Sequence, residues 1–128
     1  MTDRIEIDRL LRGIYDARVS GDLEALCQAF SNDAVFQIAG AGQSSPISNN
    51  AIGVSEFRPL LALMIRAFKL SDHIIFSILI DGSQAAVHWS AKVYSRISGT
   101  TTLTELVTLI KIRDGRVVSY TEFFVPRS

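Results

Sequence analysis

Apolar residues recur at helical spacing early in the chain and alternate with polar ones over its last third. Between Arg4 and Ser20, Ile7, Leu11, Ile14 and Arg18 fall on one stripe, with Leu10, Tyr15 and Val19 beside it, which predicts an amphipathic helix. Asp3 with Glu6 resembles a capping box and Gly21 supplies a stop. Asp8, Arg12 and Asp16 repeat on another side, where alternate charges can pair. Gly13 sits mid-helix at a cost of ~1 kcal/mol against alanine. Asp22 can cap a second helix from Leu23 to Phe30, burying Leu23, Leu26 and Phe30. Ser31-Asn32-Asp33 then turns the chain into a strand, Ala34 to Ala39, followed by a loop from Gly40 to Asn50 rich in Gly, Ser, Asn and Pro. Its Gly40-Ala41-Gly42 lacks the third glycine and the following helix of a phosphate-binding turn.

A third helix is expected from about Ser55 to Leu70, with Pro59 in its first turn. Its apolar face holds Phe57, Leu60, Leu61, Met64, Ile65 and Phe68. Ile74 to Ile80 is an almost continuous apolar run, read as a strand covered on both sides. Asp81-Gly82 is a hairpin signal. From Ser83 to Val125, Val, Ile, Leu, Thr and aromatics dominate, with turns at Ser98-Gly99-Thr100 and Asp114-Gly115. Those residues suit three long strands in succession. The class is therefore α+β: helix, helix, strand, helix, then four strands.

Composition narrows the function. A chain of 128 residues, 48% hydrophobic and 20% charged, is one globular domain spanning 1–128. Thirteen basic and thirteen acidic residues cancel, so no electrostatic footprint for nucleic acid or an anionic membrane exists. A mean hydropathy of +0.25 is high for a small soluble protein and suggests apolar surface covered by a second subunit. The single cysteine, Cys27, excludes an intrachain disulfide and reads as a small buried side chain. No basic leader precedes an apolar run, and no run approaches ~18–20 apolar residues; the expected location is cytoplasmic. No His, Cys, Asp or Glu set has metal-ligand spacing, no cofactor fingerprint occurs, and Ser44, Ser45 and Ser48 lack a nucleophile elbow. No cofactor and no metal are expected.

Several local words carry a resemblance. They are Gly21-Asp22-Leu23-Glu24-Ala25-Leu26, Phe30-Ser31-Asn32-Asp33-Ala34-Val35-Phe36, the Ile52-Gly53 entry to the third helix, and Ile110-Lys111-Ile112-Arg113-Asp114-Gly115-Arg116-Val117 at the last hairpin. In this order they resemble the nuclear transport factor 2-like superfamily, in its SnoaL-like branch, which is similar to ketosteroid isomerase. The resemblance implies a cone: a curved, mostly antiparallel sheet wrapped around three N-terminal helices, with an apolar cavity inside and usually a dimer outside. Ketosteroid isomerase uses an aspartate base with a tyrosine and a protonated aspartic acid as oxyanion hole. Those positions fall here on Ile38, on Ile14 (with Tyr15 one residue away) and on Thr108. That mechanism is therefore not expected.

The family register instead puts Trp89, Ala91, Val93 and Ser95, then Leu106, Thr108, Ile110 and Ile112, then Tyr120, Glu122 and Phe124 on the concave face. Parity of the last strand stays open in sequence, since Thr121, Phe123 and Val125 offer an apolar alternative and one bulge would exchange them. With the family register, Glu122 is the sole carboxyl on that face. It is the candidate acid or base, with Tyr15 as a second candidate catalytic residue. Phe36, Ile38, Leu61, Met64, Trp89, Val93, Thr108, Tyr120 and Phe124 are the candidate ligand-binding residues. His73 starts a strand beside Asp72, where a place near the cavity rim is one reading. The outward set, with His88, Tyr94, Val107, Leu109 and Phe123, resembles a dimer interface with a polar rim. Two functions follow. One is a pocket protein with lyase, isomerase or cyclase activity on an apolar oxygenated compound. The alternative is a non-catalytic domain that binds a ligand or partner, or only dimerises. An open cavity above ~300 Å³ holding Glu122 would favour the first.

Overall fold

The computed structural model describes residues 3–39 and 50–127. Helix α1 (Arg4–Ser20) has the bounds its periodicity predicts, because both ends are chemically marked. Asp3 Oδ1 accepts the Glu6 N–H at 2.9 Å, and Gly21 at φ 76° closes the other end. Asp22 caps α2 (Leu23–Gln28), which stops short of Phe30. Phe30 is still buried, but as the first residue of β1 (Phe30–Ala39), a strand four residues earlier in start than Ala34. The loop expected from Gly40 lies outside the described residues except at Asn50, where a short strand, β2 (Asn50–Ile52), pairs with β1.

Gly53, at φ 79° and ψ 163°, precedes α3 (Val54–Ala67) and donates its N–H to Ala34 O at 2.8 Å. The helix starts one residue earlier than expected and ends before Phe68, and Pro59, its sixth residue, lies in the second turn rather than the first. Arg96, in the turn after β4, donates to the carbonyls of Ile65 and Arg66 at 3.2 and 2.8 Å. It thereby satisfies oxygens that the last helical turn leaves open. The apolar run through Phe68 continues instead as β3 (Phe68–Asp81).

With β4 (Gln84–Ser95), β5 (Thr101–Arg113) and β6 (Arg116–Arg127), the strands form one six-stranded sheet in the order β2-β1-β6-β5-β4-β3. The β1–β6 pair is parallel and the others are antiparallel. This is a mixed, curved α+β sheet with the helices packed against its inner face. The core runs from Ile7, Leu11 and Ile14 of α1 through Phe57 and Leu61 of α3 to Trp89, Ile110 and Tyr120 of the sheet. β3 departs from expectation. It is the edge strand, and Ile74, Phe76 and Leu79 are 51%, 55% and 66% exposed, so this chain covers only one of its faces.

A bulge decides the parity of the last strand. Ile112 faces Val117, but Lys111 faces Ser119, so one extra residue enters β6 near Val118. Such an insertion exchanges the two faces of every residue beyond it. Val117 is buried and so are Tyr120 and Glu122, whereas Phe123 and Val125 are exposed.

Candidate functional site

An apolar cavity of about 340 Å³ lies between α1, α3 and the inner sheet face. Leu61, Met64 and Ile65 of α3 form one wall, and Leu70, Trp89 and Leu106 of the sheet another. At one end stand hydroxyls from the β4–β5 hairpin, among them Ser95, Ser98, Thr102 and Thr104. Arg18 and Glu122 are the only charged side chains along it among the described residues.

These two form a salt bridge through Arg18 Nη1 and Glu122 Oε1, with side chains 10% and 5% exposed. Tyr120 completes the group: its hydroxyl accepts from Arg18 Nη1 at 3.2 Å and donates to Glu122 Oε1 at 3.3 Å. The guanidinium carbon also lies 5.3 Å from the centre of the Trp89 ring, within cation–π range. Burial disfavours the Arg18 cation, yet the charges of Glu122 and Tyr120 and the hydrogen bonds to both together outweigh it and leave Arg18 still harder to deprotonate than usual. Burial pushes the Tyr120 phenol up to about 12, against the opposing pull of Arg18. Arg18 and Glu122 thus meet as an ion pair, with the Tyr120 phenol neutral beside them at neutral pH.

Trp89 is held by its own bond, Nε1 donating to Thr108 Oγ1 at 3.0 Å. Behind it lie Tyr15 and His73, with ring centres 5.0 and 5.3 Å from Trp89 and 5.4 Å from each other. Tyr15 Oη and His73 Nε2 are buried without a hydrogen-bond partner among the described residues. Burial raises the Tyr15 phenol well above its ordinary value, and burial with the nearby Arg18 charge lowers His73.

Of the residues singled out in the sequence, Glu122, Ile38, Leu61, Met64, Trp89, Val93 and Phe124 border the cavity. Phe36, Thr108 and Tyr120 do not; each is almost completely buried one layer behind it. Phe36 stacks on Tyr120 with ring centres 5.0 Å apart. Tyr15 is also off the wall, and His73 packs on Tyr15 and Trp89 rather than along the rim. Arg18 occupies the place that Tyr15 was expected to take, because it lies three residues further along α1, about one helical turn. Arg18 went unassigned in the sequence, although its position on an otherwise apolar stripe was the available signal. On the outer face, His88 Nε2 and Glu105 Oε2 lie 2.7 Å apart, and Val107, Leu109 and Phe123 are exposed.

A mixed six-stranded sheet cupped over helices, with a cavity between them, is the cone of the nuclear transport factor 2-like proteins. The chain is similar to a nuclear transport factor 2-like protein from Burkholderia xenovorans, with a TM-score of 0.82 at 18% identity over 98% of this chain and 93% of that one. It is similar to a Bacillus subtilis protein described as a candidate isomerase, with a TM-score of 0.86 at 16% identity over 98% and 90%. A third similar structure is an epoxide hydrolase-like protein from M. tuberculosis, with a TM-score of 0.77 at 16% identity over 94% and 84%. No curated protein matches the sequence. Residues 11–120 match the SnoaL-like domain, and the chain belongs to that family.

Proposed function

We propose that this protein binds an apolar, oxygenated small molecule in its cone and acts on it as an isomerase, lyase or cyclase, with Glu122 as general base. The observation that carries the reading is the buried Arg18–Glu122 pair bordering a cavity of about 340 Å³. A volume above ~300 Å³ with apolar walls and a few placed polar groups is the usual make-up of a small-molecule site. Glu122 meets Arg18 as a carboxylate, so the role open to it is to accept a proton. Loss of a proton next to a carbonyl leaves negative charge on oxygen, and Arg18 is the cation at hand to stabilise it. Tyr120 holds the carboxylate in place through its hydroxyl, and Trp89 holds the guanidinium from below. Isomerase and epoxide hydrolase names among the similar structures support a small-molecule reaction on this fold. The experiment is mass spectrometry of compounds released from denatured protein, followed by turnover assays on whatever is found. Glu122→Gln is expected to abolish turnover by the protein that remains folded; unchanged kinetics would remove Glu122 from the role.

The outer sheet face supports a homodimer as part of the same reading. Val107, Leu109 and Phe123 are 37%, 47% and 42% exposed, and Phe76 on the edge strand adds a fourth apolar group at 55%. His88, Tyr94, Glu105 and Lys92 lie on the same face and would form its polar rim.

A further inference from the structure

We infer that the cavity selects an uncharged head group that carries a hydrogen-bond donor beside an acceptor, such as a carboxamide, a lactam or a hydroxyketone. The inference rests on the reading of the cone as a small-molecule pocket and deepens it. Arg18 has five N–H donors, but among the described residues only Nη1 meets a partner, in Tyr120 and Glu122. Glu122 accepts from both Arg18 and Tyr120 on Oε1, so Oε2 accepts no hydrogen bond from a described residue. The pair therefore offers free donors next to a free acceptor, at a site where both side chains are at least nine-tenths buried. Unmet polar groups in such a place are costly, and a ligand that satisfies both recovers that cost. A carbonyl oxygen can accept from the guanidinium while the adjacent N–H or O–H donates to Oε2.

Charge excludes the alternatives. The guanidinium is already neutralised by Glu122, so a ligand carboxylate would bring a second negative charge against Oε2 in an apolar surround. An ammonium would meet Arg18 in the same way. No third charged side chain borders the cavity among the described residues, and residues 40–49 contain no Asp, Glu, Lys or Arg. The hairpin end presents hydroxyls, which favours oxygen atoms rather than charges on the ligand's outer part.

Trp89 is the one tryptophan in the chain and borders the cavity beside Arg18, so its fluorescence reads occupancy. Octanamide, octanoate and octan-1-ol share one apolar body and differ in the head. At pH 8 octanamide is expected to quench saturably and to bind at least about tenfold more tightly than octanoate or octan-1-ol, a difference of about 1.4 kcal/mol. In Glu122→Gln the preference should reverse toward octanoate, since Arg18 then lacks its counter-charge. Octanoate binding the native protein as well as octanamide would overturn the inference and leave the pocket standing, as would equal binding of octan-1-ol. Failure of all three probes to perturb Trp89 would overturn the pocket reading and the inference with it. If Glu122→Gln does not fold, the comparison of probes on the native protein decides alone.

Discussion

Arg18 and Glu122 are 104 positions apart in sequence and form a buried salt bridge that ties α1 to β6. Such a pair does little net work against hydrophobic replacements, but breaking one half strands a buried charge. Arg18→Met alone is expected to destabilise the fold by about 3–5 kcal/mol. Adding Glu122→Gln removes the stranded charge and should restore much of that loss. Urea unfolding of the two single variants and the double variant measures the coupling; additive losses would show that the two side chains do not interact.

Tyr120 makes stability sensitive to alkali. Its phenol ionises near 10 when unfolded and at about 12 in the folded protein. Between those values the unfolded chain holds fewer protons, so its stabilising effect is complete below about pH 10 and falls as pH rises toward 12. The loss from this group is of order 2–3 kcal/mol. Unfolding free energies measured from pH 9 to 12 should show the decline, and Tyr120→Phe should flatten it, leaving the part contributed by Tyr15.

Two glycines make opposite predictions. Gly53 holds a backbone conformation, φ 79° and ψ 163°, that residues with a Cβ rarely adopt. Gly53→Ala is expected to cost about 1–3 kcal/mol. At Gly13, in the middle of α1, an added Cβ meets nothing within 4 Å, and Gly13→Ala should stabilise by about 0.5–1 kcal/mol. Thermal unfolding of both variants decides the signs.

The outer sheet face predicts its own outcome in the ultracentrifuge. The native protein should sediment as a dimer at micromolar concentration, and Phe123→Lys as a monomer with nearly unchanged stability. A native monomer would contradict the proposed homodimer.

The parts legible in the sequence are those with local chemical marks. α1 carries a cap at Asp3 and a glycine stop, and its ends were placed correctly. The last three strands carry alternation and turn residues, and the resemblance supplied their register. β2 was missed because three residues are too few to show a period. The end of α3 was misplaced because Phe68 and Leu70 continue an apolar pattern that suits both a helix and a strand. Arg18 is the instructive omission: its charge broke the pattern of its stripe, yet its partner lay on the last strand, beyond any local signal. The bulge at Val118 was equally hidden, since Val-Val-Ser reads as plain strand, and the inward placement of Glu122 depends on it.

The position of β6 between β1 and β5 has a consequence for how the chain matures. Without β6, β2-β1 and β5-β4-β3 share no strand pairing, and Arg18 lacks its carboxylate partner. One segment then joins both pieces, closes the cavity and delivers Glu122. A chain that lacks β6 is therefore expected to lose the joined sheet and the Arg18–Glu122 pair together, leaving unpaired strand borders open to other chains.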